Sequence, residues 1–126
     1  MIGYTTLGTN DFAKSGKFYD NLLAQLGAKR VMEDEHIIIW SNKPKAAMIA
    51  VIKPHNGQPA TVGNGTMVAL VVKDLATIES LHSKALELGA TCEGAPGPRG
   101  DNMNFGYVRD PEGNKLAFYC MNWSLV

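Results

Sequence analysis

The sequence repeats itself at half its length, and this repeat constrains the fold more than any other feature of the chain. Leu7 and Asp11 match Leu70 and Asp74 at an offset of 63 residues. A repeat of this length indicates duplication of one supersecondary unit. Because 126 residues suffice for one ordinary domain, we expect a single domain, 1–126, made of two modules.

The first module, residues 1–53, is predicted to have the order βαβββ. β-Branched and aromatic residues indicate a strand over residues 2–8, and Asn10 or Asp11 then caps a helix that ends at Gly27. Three more strands follow at about Lys29 to Glu33, His36 to Trp40 and Ala46 to Ile52.

The same order is predicted after a connector of residues 54–65, which is rich in glycine and proline and lacks periodicity. In the second module, residues 66–126, Asp74 caps a helix that ends at Gly89. The predicted strands are Thr66 to Val72, Thr91 to Ala95, Phe105 to Arg109 and Lys115 to Met121. We therefore predict an α+β fold in which two βαβββ modules form a curved mixed sheet around a cleft.

The last strand follows a tight turn, Asp110-Pro111-Glu112-Gly113-Asn114, and this turn makes it one arm of a hairpin. Strand periodicity puts Ala117 and Tyr119 on one face and Leu116 and Phe118 on the other. One of these faces belongs to the core, and the other is available for function.

The charge pattern excludes one class of partner. Twelve basic and twelve acidic residues cancel, and no basic run is present. We expect no nucleic-acid partner. No stretch reaches the roughly 18 apolar residues of a membrane span, and the first residues do not resemble a signal peptide. These features predict a soluble, cytoplasmic protein without a membrane partner.

Cysteines and histidines do not form a recognisable site in the sequence. Cys92 and Cys120 are too few for a disulfide framework or a zinc site, and we expect two reduced, half-buried thiols. His36 falls at a strand start, His55 in the connector and His82 on the second helix. These three positions are not expected to converge.

The order of four segments, together with the paired modules, resembles the vicinal oxygen chelate superfamily, which includes glyoxalase I, bleomycin-resistance proteins and extradiol dioxygenases. The match covers nearly the whole chain and implies the predicted fold, but it does not define the function. The segments that carry it are Thr6-Leu7-Gly8-Thr9-Asn10-Asp11 with Phe18-Tyr19, residues 63–69, residues 94–99, and residues 107–115.

The resemblance also implies where a metal would be bound, since metal-using relatives place His or Glu on the first strand of each module and Glu on the last. The matching positions here are Tyr4, Met67 and Ala117, with either Ile49 or Ala50 as the fourth. None of these is an imidazole or a carboxylate, the donors that a divalent ion needs here. We predict no metal and no other cofactor.

Aromatic and methionine side chains are expected on the cleft face, where they suit an apolar or planar ligand. The alternative is that a cleft without a metal is filled by ordinary core packing. Arg99 lies in a Gly/Pro-rich loop and is either an anion clamp or a solvated loop arginine. The predicted ligand-binding set is Tyr4, Trp40, Met67, Arg99, Met103, Phe105, Tyr107, Ala117 and Tyr119.

Two functions remain open on the sequence. The first is a metal-free protein that binds an apolar or aromatic small molecule, similar to the drug-sequestering members of the superfamily. The alternative is a metal-dependent glyoxalase-like lyase or dioxygenase with an unconventional site. No catalytic residue is predicted, because no serine or cysteine is paired with a histidine. The resemblance implies a homodimer, formed either side by side or by exchange of modules across the connector.

Overall fold

A computed structural model of the chain describes residues 1–122, so the last four positions of the predicted second module lie outside the described residues. The chain divides between Asn64 and Gly65 into two compact units. Residues 54–64 of the predicted connector fall within the first unit. From here on, the names first and second module refer to these two units, in place of the predicted bounds 1–53 and 66–126. Each contains one α-helix and four strands.

The first module has the order β1 (Tyr4–Gly8), α1 (Phe12–Leu23), β2 (Lys29–Glu33), β3 (Ile37–Ser41) and β4 (Met48–Ile52), with a 3₁₀ turn (Ala24–Leu26) after α1. Its strands lie in the order β1-β4-β3-β2. The β1–β4 pair is parallel, and the other two pairs are antiparallel. The helix begins where Asp11 accepts a hydrogen bond from the Lys14 amide, and the 3₁₀ turn ends at Gly27 with φ of 71°.

The second module repeats this arrangement with β5 (Val68–Val71), α2 (Leu75–Glu87), β6 (Thr91–Pro98), β7 (Met103–Arg109) and β8 (Lys115–Met121). The strand order is β5-β8-β7-β6, again with one parallel pair, β5–β8. Asp74 caps α2 by accepting the Thr77 amide, and Gly89 follows the helix with φ of 105°. The predicted α+β fold of two βαβββ modules is confirmed.

Each module buries the sheet face that its helix covers. In the first module the helix-side face carries Leu7, Ile38 and Val51, which are at most 5% exposed. In the second module Val108, Leu116 and Phe118 are completely buried. We call the opposite surface of each sheet its distal face.

The predicted hairpin turn is held by one carboxylate. Asp110 Oδ1 accepts hydrogen bonds from the backbone N–H groups of Glu112 and Asn114, at 2.9 Å each. Gly113 takes a φ of 94°, a conformation that favours glycine. The turn thus fixes the register of β7 against β8, in which Tyr107 is paired with Ala117.

Both cysteines are free, but their surroundings differ from the expectation. Cys120 is partly buried, as predicted, whereas Cys92 is exposed. Cys92 lies next to the first β-bulge of β6, on the edge strand of the sheet. Edge position and bulge together leave its side chain open to solvent.

Candidate ligand-binding face

Three aromatic rings form a continuous stack on the distal face of the second module. The ring centroid of Phe105 is 5.5 Å from that of Tyr107 and 5.2 Å from that of Tyr119, with interplanar angles of 13° and 15°. All three rings are partly exposed. Their common face follows from the register, since Phe105 is paired with Tyr119 and alternate residues of one strand share a face.

Two cationic side chains lie over one end of this stack. The Lys115 Nζ is 5.2 Å from the centroid of Tyr107, and the Arg99 guanidinium carbon is 5.7 Å from it. Both distances lie within the range of cation–π attraction. Lys115 is not in the predicted ligand-binding set, although its alternation with Ala117 and Tyr119 along the strand is a sequence signal that places it on this face.

Arg99 is held by its own loop. Its Nη1 donates to the carbonyl oxygens of Gly97 and Pro98, at 3.2 and 3.1 Å, and its Nη2 donates to that of Ala95 at 2.9 Å. These three bonds fix the guanidinium beside Tyr107 and brace the loop. Arg99 therefore contributes positive charge from a fixed position, rather than reaching freely over the sheet.

Met103 and Ala117 share this face with the aromatic stack. Met103 is the register partner of Met121 and is partly exposed. Ala117 is completely buried, opposite Tyr107. Met67 precedes β5 and is 41% exposed. Six of the nine predicted residues thus belong to one surface of the second module: Arg99, Met103, Phe105, Tyr107, Ala117 and Tyr119.

The expectation that Trp40 lies on the ligand-facing surface is wrong. Its side chain is on the helix-side face of the first module and is 1% exposed. The indole Nε1 donates a hydrogen bond of 2.9 Å to Asp20 of α1, and the ring lies 5.7 Å from that of Tyr19. Tyr4, in contrast, is on the distal face of the first sheet and is 51% exposed.

The register decides which residue of the first module is equivalent to Ala117. Ala117 pairs with Ala69 of β5, and Ala50 pairs with Thr6 of β1. Thr6 and Ala69 occupy equivalent positions at the 63-residue offset of the repeat. Ala50 is therefore the counterpart, whereas Ile49 faces α1 together with Trp40.

The side chains at the implied metal positions do not fit a divalent ion. They are a phenol, a thioether and two methyl groups, at Tyr4, Met67, Ala50 and Ala117, and they supply no imidazole or carboxylate. Within residues 1–122, no group of three or more His, Cys, Asp or Glu side chains is placed to hold a metal ion.

The histidines are distributed differently from the expectation. His82 is buried on α2, and its Nε2 has no hydrogen-bond partner among the described residues. His36 and His55, which were not expected to converge, line the same groove of the first module.

Within the part of the chain that the structure describes, no helix is long and apolar enough to cross a membrane.

The order and pairing of the strands in the two modules define a glyoxalase/bleomycin-resistance-like fold. Residues 1–118 match the family model "Glyoxalase/Bleomycin resistance protein/Dioxygenase superfamily". The chain belongs to this superfamily. A search of curated proteins gave no match.

Solved structures agree with this assignment. A glyoxalase/bleomycin resistance protein from Albidiferax ferrireducens T118 is 32% identical, with a TM-score of 0.87 over 95% of this chain and 98% of that one. A glyoxalase-related enzyme from Fulvimarina pelagi is 20% identical, with a TM-score of 0.76 over 95% of this chain and 87% of that one. A glyoxalase/bleomycin resistance protein/dioxygenase family enzyme from Burkholderia phytofirmans PsJN is 15% identical, with a TM-score of 0.75 over 94% and 97% of the two chains. At identities of 20% and 15%, the last two structures show the fold alone.

Proposed function

We propose that this protein binds an apolar or aromatic small molecule on the distal face of its second module, without a metal ion. The observation that carries the proposal is the partly exposed stack of Tyr107, Phe105 and Tyr119. The exposed parts of these nearly parallel rings offer a planar ligand an apolar, aromatic contact surface. We further propose that the protein acts in the cytoplasm.

Charge at one end of the stack favours ligands that are planar and electron-rich or carry an acidic group. Lys115 makes no ion pair with a described carboxylate and lies over Tyr107. Arg99 adds a second positive charge at the same ring. A ligand that packs against the exposed part of the stack and directs an anionic substituent towards Tyr107 gains both apolar contact and charge attraction.

The competing function is that of a metal-dependent glyoxalase-like lyase or dioxygenase. Both chemistries use a Lewis acid that binds two substrate oxygens. The donor set at Tyr4, Ala50, Met67 and Ala117 does not support that chemistry. We expect protein purified without chelator to carry no stoichiometric zinc, nickel, iron or manganese, and to be inactive towards the glutathione hemithioacetal of methylglyoxal and towards catechols. If the protein instead carried one metal ion per chain and showed either activity, the lyase or dioxygenase function would be correct and the metal-free binding function would be wrong.

A thermal-shift screen of planar aromatic compounds, followed by calorimetry, tests the binding function directly. We expect at least one compound with a Kd of about 1 μM or lower, which corresponds to about −8 kcal/mol. Phe105→Leu removes the central ring of the stack and should weaken binding about tenfold, a loss of about 1.4 kcal/mol. Leu86→Ala, at an exposed position of α2, is the matched control. Equal weakening by both variants, or none by Phe105→Leu, would place the ligand elsewhere.

A further inference from the structure

The first module contains a groove that is separate from the aromatic stack. It is formed by the start of β3, the end of β4, the residues that follow β1, and residues 54–59. Its volume is about 840 Å³. This lies within the range of roughly 300 to 1,000 Å³ that small-molecule sites occupy.

Backbone hydrogen bonds hold the walls of the groove in place. The Lys53 amide donates to the His36 carbonyl at 2.8 Å, so these residues face each other across β3 and β4. The Gly57 amide donates to the Pro54 carbonyl at 3.0 Å and turns the chain back over the strand end. The Asn10 side chain accepts a hydrogen bond from the Ala60 amide at 2.7 Å and donates one to the Ala60 carbonyl oxygen at 3.1 Å. The groove is therefore formed before any ligand arrives, which lowers the entropic cost of binding.

The polar side chains of the groove are cationic or neutral. Lys53, His36 and His55 line it, and none of the described residues that line it is acidic. None of these three makes an ion pair with a described carboxylate. The Lys53 Nζ is 5.1 Å from the ring centroid of Phe12, which positions the ammonium group at the end of the groove nearest to α1.

One carboxylate lies near the groove without lining it. Asp34 Oδ1 accepts hydrogen bonds from the backbone N–H groups of His36 and Ile37, at 2.7 and 3.0 Å. These bonds, followed by the charge of His36, lower the pKa of Asp34. Asp34 Oδ1 is thus engaged by the turn before β3, and none of the ion pairs among the described residues joins Asp34 to Lys53.

We propose that this groove binds a small molecule that carries an oxyanion, either a phosphate or a carboxylate. Lys53 supplies the principal charge, and His36 and His55 donate ring N–H groups from the same surface. Ile52, Pro54 and Pro59 provide an apolar wall for the remainder of the ligand. This site does not depend on the function proposed for the second module.

NMR titration of the full chain with inorganic phosphate and, separately, with acetate tests the proposal at low ionic strength. We expect saturable shifts of the backbone amides of Asn10, Lys53 and Gln58. Lys53→Gln should raise the Kd at least about fivefold, since it removes the charged partner of the oxyanion. Lys53→Arg should retain most of the affinity because it keeps the charge. Lys43→Gln, in the exposed turn before β4, is the matched control and should leave the Kd unchanged.

Each outcome has a defined meaning. Tighter binding of phosphate assigns the site to phosphorylated ligands, and equal or tighter binding of acetate assigns it to carboxylates. Shifts that do not saturate, or equal weakening by Lys53→Gln and Lys43→Gln, would overturn the proposal. Thermal unfolding of each variant shows whether it is folded, and an exposed lysine is not expected to affect folding.

Discussion

A single carboxylate joins three elements of the first module. The two oxygens of Asp20 accept hydrogen bonds from Arg30 Nε and Nη2, at 2.8 Å each, and Oδ1 also accepts one from Trp40 Nε1 at 2.9 Å. The hydrogen bond from Arg30 is the main cause of the lowered pKa of Asp20. This residue therefore fixes α1 against β2 and β3, and it explains why Trp40 is turned towards the helix.

The lowered pKa of Asp20 gives its contribution to stability a defined pH dependence. Its carboxylate stabilises the fold fully above the pKa of an unpaired aspartate, about 3.9, and this contribution is lost as the pH falls through the lower folded-state value. We expect Asp20→Asn to reduce the free energy of unfolding by about 1 kcal/mol at pH 7, an amount limited by the partial exposure of the pair.

Urea unfolding of both proteins at pH 7 and pH 3 provides the measurement for Asp20. The difference between wild type and Asp20→Asn should shrink at pH 3, because this pH lies below the pKa of an unpaired aspartate and protonation of the unfolded wild type then favours unfolding. A difference that is the same at the two pH values would contradict the assignment of the pH dependence to this residue.

Gly94 allows Tyr107 its position in the aromatic stack. A Cβ atom at residue 94 would lie 2.8 Å from Tyr107 Cδ2, whereas one at Gly97 would meet only Arg99 Nη1, at 3.7 Å. We expect Gly94→Ala to displace the Tyr107 ring, change the near-UV circular dichroism spectrum and weaken ligand binding. Gly97→Ala, in the same strand, should leave both unchanged. Identical spectra for wild type and Gly94→Ala would show that the ring tolerates the methyl group.

At the scale of the elements, the sequence predicts best where local chemistry decides the structure. β2 and β8 have the predicted ends. Asp74 caps the second helix as predicted, and Asp11 is the one of the two predicted candidates, Asn10 and Asp11, that caps the first, because a carboxylate that accepts a free backbone N–H is a local signal. β6 extends to Pro98 rather than Ala95, since two bulges accommodate its glycines and prolines.

The face of Trp40 could not be predicted in the same way. Residues 37–40 are four consecutive apolar residues, and such a run has no alternation to distinguish one face from the other. The face is decided by Asp20, which lies 20 residues earlier in the chain. The convergence of His36 and His55 was missed for a similar reason, because it depends on the fold of the segment after β4.

Removal of the two helix caps tests whether the equivalent residues Asp11 and Asp74 both contribute to the free energy of unfolding. Asp11→Ala removes the acceptor of the Lys14 amide and should cost about 1 kcal/mol of stability. Asp74→Ala removes the acceptor of the Thr77 amide and should act in the same direction. Asp101→Ala, in an exposed loop, is the control for the loss of a negative charge. The capping role would be contradicted if chemical denaturation showed that Asp101→Ala loses as much stability as Asp11→Ala and Asp74→Ala.

At the scale of the whole molecule, we propose that the chain forms a homodimer. Each four-stranded sheet has two edge strands, β1 and β2 in the first module and β5 and β6 in the second. Within each module these edges carry unpaired backbone groups, which proteins usually cover by further pairing. Sedimentation at tens of micromolar should give about twice the mass of one chain. A single-chain mass over this range would rule out a stable dimer.

The two equivalent alanines have a consequence for the evolution of this scaffold. Ala50 and Ala117 are completely buried, opposite Ile39 and Tyr107 respectively. A carboxylate at either position would be desolvated, at a cost of several kcal/mol unless a cation or a metal ion pairs with it. A lineage that acquired metal ligands here would need such a partner before or together with each carboxylate, so the order of substitutions, and not only their number, controls whether such chemistry is accessible.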